Sequence, residues 1–138
     1  MEEKLIAQLE KNGKSALIIR GKPDEDLLPA PIGNITFVNH LSADIMQYHL
    51  LHSIYIVCRS GYSSLMDLAA VGKSAIIIPT PGQTEQEYLA DYHHLRGHHF
   101  RALQEDLDLQ SAFEGLTGCK SLLLENKKLA TVLKNIFL

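Results

Sequence analysis

Two short apolar runs, each followed by a polar loop with a glycine and then by a helical pattern, constrain the fold of this chain most strongly. The runs are residues 54–57 and 75–78. Because both are short and almost wholly apolar, they predict strands buried on both faces, as in a parallel sheet. Ligands of such sheets bind outside the carboxyl ends of the strands, where amides at helix N-termini are unpaired. We therefore expect the two loops to lie side by side and to hold a phosphorylated ligand.

The same alternation of strand and helix continues along the rest of the chain. Gly13 is placed to end a first helix, and Ser42 is placed to cap a later one. The remaining predictions are helices over residues 2–11, 107–116 and 122–137, strands over 16–19, 35–38 and 100–103, and a proline-containing loop over 22–34. The predicted fold class is α/β, a three-layer Rossmann-like parallel sheet of about five strands. It forms a single domain over residues 1–138.

Composition excludes several classes of function. The net charge of −3 over 138 residues offers no basic stripe for nucleic acid, so no nucleic-acid partner is expected. Two cysteines do not form a secreted disulfide framework, and reduced thiols in a cytoplasmic protein are expected. No apolar run approaches the length needed to span a bilayer, which leaves a peripheral membrane role open.

An ordered set of residues between positions 53 and 91 carries a resemblance to a known family. The set is Arg59-Ser60-Gly61 after a strand, Asp67 before Leu-Ala-Ala, Gly72, a strand ending at Pro79, and a Gln-rich segment at 83–87. It resembles the C-terminal, donor-binding domain of MurG-like glycosyltransferases, which have the B-type glycosyltransferase fold. The resemblance implies a nucleotide diphosphate sugar as donor, a UDP-hexose or UDP-N-acetylhexosamine. It also implies inverting transfer, with no cofactor and no divalent metal.

The beginning of the chain departs from that family. Family members have a strand before the first helix, and here Met1 is followed at once by helix. That strand is central in the family's sheet, so the strands at 16–19 and 54–57 should either pair directly or leave an open edge. An open edge favours pairing with a second chain, including a homodimer. The chain is interpreted as a fragment of a two-domain enzyme, inactive alone, whose partner is an N-terminal acceptor domain.

The first loop has two interpretations. Arg59 can offer a positive fork to a phosphate, Ser60 a hydroxyl, and Gly61 a close backbone approach to a ligand. Alternatively the loop is an ordinary turn with a surface arginine paired to an acid. Spacing alone does not separate the two, and the resemblance favours a donor-site loop.

Asp67 also has two interpretations. Ser64 and Asp67 fit a capping box, which the sequence alone favours. The resemblance instead implies that this acid, commonly Glu in the family, binds both ribose hydroxyls of the nucleotide, for which a carboxylate offers two acceptors.

In the second loop, Thr84 and Glu87 fit another capping box. The resemblance adds that Gln83, Gln86 and Glu87 face the donor sugar, since side-chain amides both donate and accept. Ala90 stands where the MurG pattern has Asn. The predicted substrate-binding residues are Arg59, Ser60, Gly61, Ser63, Asp67, Thr80, Gln83, Thr84, Gln86 and Glu87.

No metal site and no catalytic residue are assigned. Gly97 interrupts the helix between His94 and His98, and no carboxylate or cysteine completes a zinc spacing with them or with His93 and His99. The general base is expected from the other domain, since nothing in this sequence is an obvious one. Two alternatives stay open: a stand-alone catalytic subunit that needs a partner chain, and a non-catalytic nucleotide-binding module.

Overall fold

The computed structural model describes residues 1–122 of the chain. In chain order the helices and strands are α1 (Glu2–Asn12), β1 (Ala16–Ile19), β2 (Ile35–Val38), α2 (Ala43–His52), β3 (Val57–Cys58), α3 (Tyr62–Val71), β4 (Ile76–Ile77), α4 (Thr84–Leu95), β5 (Phe100–Arg101) and α5 (Leu109–Leu116). Strands and helices alternate as predicted, so the α/β class is confirmed. The apolar run at 54–57 is strand only at Val57, and Ile54 is 87% exposed, so the prediction that this run is buried on both faces is wrong. The helix predicted over 122–137 lies almost wholly outside the described residues.

Within residues 1–122, the five strands form two parallel sheets. β1 pairs with β2, from Ala16 opposite Ile35 to Ile19 opposite Val38. The second sheet has the order β3-β4-β5. Its strands are shorter than the apolar runs that predicted them, yet backbone bonds continue beyond their ends, as from the Ile78 amide to the Cys58 carbonyl at 2.9 Å.

β1 and β3 do not pair with each other, and a cavity of about 1040 Å³ lies between them. Apolar side chains of four helices line it together with the two strands: Leu5, Leu9, Leu50, Leu68, Leu109 and Phe113. All of β1 is only half-buried, whereas Ile76 and Ile77 of β4 are completely buried because β4 has a neighbour on each side. Of the two outcomes expected for these strands, the structure shows the open edge.

The core lies on both faces of the three-stranded sheet. Ile76 and Ile78 point to one face and pack against α5, where Leu109 and Phe113 are buried. Ile77 points to the other face and packs against Leu65 and Leu68 of α3, Ala90 of α4 and Ala75, which precedes β4. This alternation follows from the two-residue period of a strand, and each large side chain buried this way contributes about 1.5–3 kcal/mol. The predicted three-layer arrangement is confirmed.

Two helix starts differ from the sequence prediction. α3 begins after Gly61, so Ser64 and Asp67 both lie inside the helix and the capping box predicted for them is wrong. α4 is preceded by Gln83, so Thr84 is its first helical residue rather than its cap. The predicted start of α2 at Ser42 is confirmed. The predicted end of α1 at Gly13, whose φ is 61°, is confirmed as well.

Within the described part of the chain, none of the helices is both long and apolar enough to cross a bilayer.

Candidate functional site

The loops that follow β3 and β4 are fastened to each other at the carboxyl edge of the sheet. Ser60, in the first loop, donates a hydrogen bond of 2.7 Å from Oγ to the Gln86 carbonyl in the first turn of α4. Its side chain is completely buried. Ser60 therefore supports the loop from within, and its hydroxyl is not presented at the surface.

The guanidinium of Arg59 joins the ends of three strands. Nη1 donates to the carbonyls of Ile78 at 3.2 Å and Pro79 at 3.1 Å, which follow β4. Nη2 donates to Oε1 of Gln104 at 2.6 Å, in the loop after β5. The alternative of a surface arginine paired to an acid is wrong, because within residues 1–122 these acceptors are carbonyl and amide oxygens. The positive charge of Arg59 is consequently not neutralised by them.

The second loop is closed by side chains of α4. Oε1 of Gln86 accepts a hydrogen bond from the Thr80 amide at 2.9 Å, and Nε2 of Gln86 donates to Oε1 of Gln83 at 2.6 Å. Oε1 of Glu87 accepts from the Gly82 amide at 3.0 Å. In the predicted capping box, Glu87 would accept a hydrogen bond from the amide of Thr84. Glu87 instead accepts from the amide of Gly82, which lies before the helix. Thr84 itself is exposed.

Asp67 lines the large cavity and not the second loop. Arg59, Ser64 and Asp67 all line the large cavity between β1 and β3. Asp67 is exposed and has no hydrogen-bond partner among residues 1–122, so its two carboxylate oxygens are available to a ligand. Gln86 does not line this cavity. Arg59 is therefore the connection between the two halves of the site, since it shares the cavity with Asp67 and bonds the loop that Gln86 closes.

The N-terminus of α3 is better suited to an anion than that of α4. Its first turn contains no acid, its cap residue is Gly61, and no side chain caps it. The first turn of α4 carries Glu85 and Glu87. Because helix N-terminal amides attract negative charge, the α4 terminus is already provided with carboxylates and the α3 terminus is open. Ser63, also in the first turn of α3, is exposed.

Neither the backbone conformation of Gly61 nor the packing around it requires a glycine. Its φ is −70°, a value that any residue adopts, so the tight turn does not require glycine. A Cβ placed on it would meet no heavy atom within 4 Å. The space on the Cβ side of Gly61 is therefore open.

Ala90 cannot reach a ligand. Its side chain is completely buried against Leu65, Leu68 and Ile77. The position at which the MurG pattern has Asn is thus part of the core here.

Sequence reasoning missed Gln104. The residue follows the predicted strand at 100–103 directly, and the carboxyl end of a neighbouring parallel strand was the available signal. Its backbone is held as well, because Nζ of Lys4 donates to the carbonyls of Gln104 and Glu105 at 3.0 Å each.

The histidines of α4 and the segment after it contact one another. Nδ1 of His93 lies 3.2 Å from Nδ1 of His98, and the rings of His93 and His99 are 5.4 Å apart. Over residues 1–122, no group of three or more His, Cys, Asp or Glu residues is arranged to hold a metal ion.

Polar loops gathered at the carboxyl edge of a parallel sheet that is covered by helices define an α/β ligand-binding domain. The family described as "Glycosyltransferase family 28 C-terminal domain" matches residues 3–135, and the chain belongs to this family. The resemblance to the C-terminal domain of such glycosyltransferases is thereby confirmed.

One curated relative is the UDP-N-acetylglucosamine--N-acetylmuramyl-(pentapeptide) pyrophosphoryl-undecaprenol N-acetylglucosamine transferase of Caldanaerobacter subterraneus subsp. tengcongensis. It is 30% identical to this chain, over 71% of the chain and 29% of the relative. The chain thus spans less than a third of that relative's length. No solved structure matches the chain.

Proposed function

We propose that this chain binds the donor of an inverting glycosyl transfer, a UDP-sugar, at the carboxyl edge of its sheet. The observation that carries the proposal is the position of Arg59, which lines the same cavity as Asp67 and also bonds the loop that Gln86 closes. Arg59 thus belongs both to the cavity that Asp67 lines and to the contacts of the loop that Gln86 closes. The name of the relative, a transferase that uses UDP-N-acetylglucosamine, supports uracil as the base.

Each part of the donor has residues of suitable chemistry. Asp67 offers two acceptors to the vicinal hydroxyls of the ribose. The open amides of α3, with Gly61, Ser63 and Arg59, suit the diphosphate.

The second loop would bind the sugar of the donor. Gln86 uses one lone pair of Oε1 and one hydrogen of Nε2 within the protein, so each group keeps a second one for a sugar hydroxyl. Gln86 is accompanied on the same loop and helix turn by four further polar residues: Thr80, Gln83, Thr84 and Glu87. These remaining donors and acceptors would fix the orientation of the sugar.

The domain contributes positioning and charge stabilisation to the reaction. An acceptor hydroxyl attacks the anomeric carbon as the bond from that carbon to the diphosphate oxygen breaks, which inverts the configuration. The diphosphate leaves with increased negative charge, and the amides of α3 and Arg59 stabilise that charge. The proton of the acceptor hydroxyl passes to a base on another domain, the acceptor-binding N-terminal domain. Both domains belong to a longer, cytoplasmic enzyme in this proposal. That enzyme can associate peripherally with a membrane.

Replacing Asp67 tests the proposal. Asp67→Ala should weaken UDP binding by about 1–3 kcal/mol, because a charged hydrogen bond to the ribose is lost. By the tenfold change per 1.4 kcal/mol, that is roughly 5- to 150-fold in Kd by titration calorimetry. Asp26→Ala, which removes an exposed acid from the loop before β2, is the matched control and should leave Kd unchanged.

Two results would contradict the proposal in different ways. If the unsubstituted protein binds neither UDP nor a UDP-sugar, the donor site is wrong as a whole. If UDP binds with equal affinity to folded Asp67→Ala, only the ribose contact is wrong.

A further inference from the structure

We infer that Gln104 is a positioning residue of the donor site, which acts by fixing the guanidinium of Arg59. The inference rests on the proposed function, because it assigns Arg59 to the diphosphate. It adds a residue from a third strand end, distant in sequence from both loops that carry the other candidates.

The orientation of the Gln104 amide follows from the chemistry of its partner. A guanidinium has donors only, so the atom that faces Nη2 of Arg59 at 2.6 Å must be the oxygen, Oε1. The backbone of the same residue is held by Lys4 of α1, whose Nζ donates to its carbonyl at 3.0 Å. Gln104 is thus held at its backbone independently of Arg59 and can serve as a fixed acceptor for it.

The bonds of Arg59 leave part of its fork for a ligand. Nη1 is used by the carbonyls of Ile78 and Pro79, and Nη2 gives one hydrogen to Gln104. Nε and the second hydrogen of Nη2 have no acceptor within residues 1–122. These two donors lie in the plane of the guanidinium, whose rotation the Gln104 contact opposes. A planar pair of N–H groups suits two oxygens of a diphosphate.

Removing the side-chain oxygen of Gln104 should therefore weaken the binding of the diphosphate without affecting the binding of the nucleoside. Gln104→Met keeps a side chain of similar length and removes the oxygen. We expect it to raise the Kd for UDP about 3- to 10-fold and to leave the Kd for uridine, which has no phosphate, within about twofold. Gln47→Met, on the exposed face of α2, is the matched control and should change neither Kd.

A double-mutant cycle separates positioning from a general structural effect. If Gln104 acts through Arg59, Gln104→Met should have no further effect on the Kd for UDP in an Arg59→Met background. A purely structural role would weaken UDP and uridine together, or would add to the Arg59→Met loss, and either result overturns the inference.

A measurement on the unsubstituted protein covers the case in which Gln104→Met does not fold. The Nε–H resonance of Arg59 should shift on addition of UDP and stay in place on addition of uridine; an unchanged resonance at saturating UDP would overturn the inference. If UDP binding depends on Asp67 but not on Gln104, only the inference fails. If UDP does not bind at all, the proposed function fails with it.

Discussion

Acidification should destabilise this chain through His99, a buried imidazole that cannot easily accept a proton. Its side chain is 1% exposed, and its Nδ1 accepts a hydrogen bond of 3.1 Å from the Ala75 amide. Burial is the main reason why the pKa of His99 is lowered to about 4, and the neighbouring His93 and His98 lower it further. A proton on Nδ1 would also face the Ala75 N–H, so the hydrogen bond from the Ala75 amide, directly before β4, would be lost.

The magnitude follows from the difference between the folded and unfolded pKa values. As the pH falls through 6.5, the ordinary value, the unfolded chain binds a proton at this histidine, whereas the folded chain does so only near 4. The free energy of unfolding should therefore decrease between pH 6.5 and 4. At 1.36 kcal/mol per unit of pKa difference, His99 accounts for about 3 kcal/mol, all of it retained above pH 7.

Urea denaturation at pH values from 4 to 8 measures this loss. His99→Asn is the informative variant, because its Oδ1 can still accept from the Ala75 amide while the side chain no longer titrates. The unsubstituted protein should lose about 3 kcal/mol more than His99→Asn as the pH falls from 7.5 to 4. The pKa values of His93 and His98 are lowered as well, so His99→Asn keeps a smaller slope of the same sign.

His40→Asn is the control, because His40 is exposed in the loop after β2. It should keep the full pH dependence of the unsubstituted protein. If His99→Asn and the unsubstituted protein have the same pH dependence, the argument from burial is refuted.

Two substitutions and one control test the packing behind the site. Gly115→Ala should destabilise the chain by about 1 kcal/mol in urea denaturation, because the new Cβ would lie 2.1–2.8 Å from the Phe100 ring and the overpacking exceeds the roughly 1 kcal/mol gained in helix propensity. Gly118→Ala, which meets its nearest atom at 3.8 Å, should change stability by less than about 0.5 kcal/mol, and a stabilising Gly115→Ala would contradict the clash. Ser60→Ala should cost about 1 kcal/mol in the same assay, because the buried bond to the Gln86 carbonyl is lost. Unchanged stability would show that this bond does not hold the two loops together.

Local signals in the sequence located the elements well where the decisive interactions are themselves local. β1 and β2 were predicted residue for residue, because each is a short apolar run between polar segments. The end of α1 was predicted from Gly13, whose left-handed backbone favours glycine. Such features involve neighbours in sequence, so a pattern can reveal them.

The helix starts at the site were predicted wrongly because contacts distant in sequence determine them. Ser64 and Thr84 have the right residue type for a cap, yet α3 and α4 begin at Tyr62 and Thr84. The bond from Ser60 to Gln86 spans 26 residues and fixes where the first loop lies against α4. A capping motif contains no information about such a bond.

The sequence by itself determined the α/β class, the order of the elements and the two polar loops at strand ends, because hydrophobic periodicity and turn residues encode them directly. Only the tertiary structure decided that Arg59 bonds Gln104, 45 residues away, and that Ser60 and Ala90 are buried. It also decided that β1 and β3 border a cavity instead of pairing. The physical reason is that these features depend on which strand ends and helix faces meet in space, and separation along the chain does not specify that.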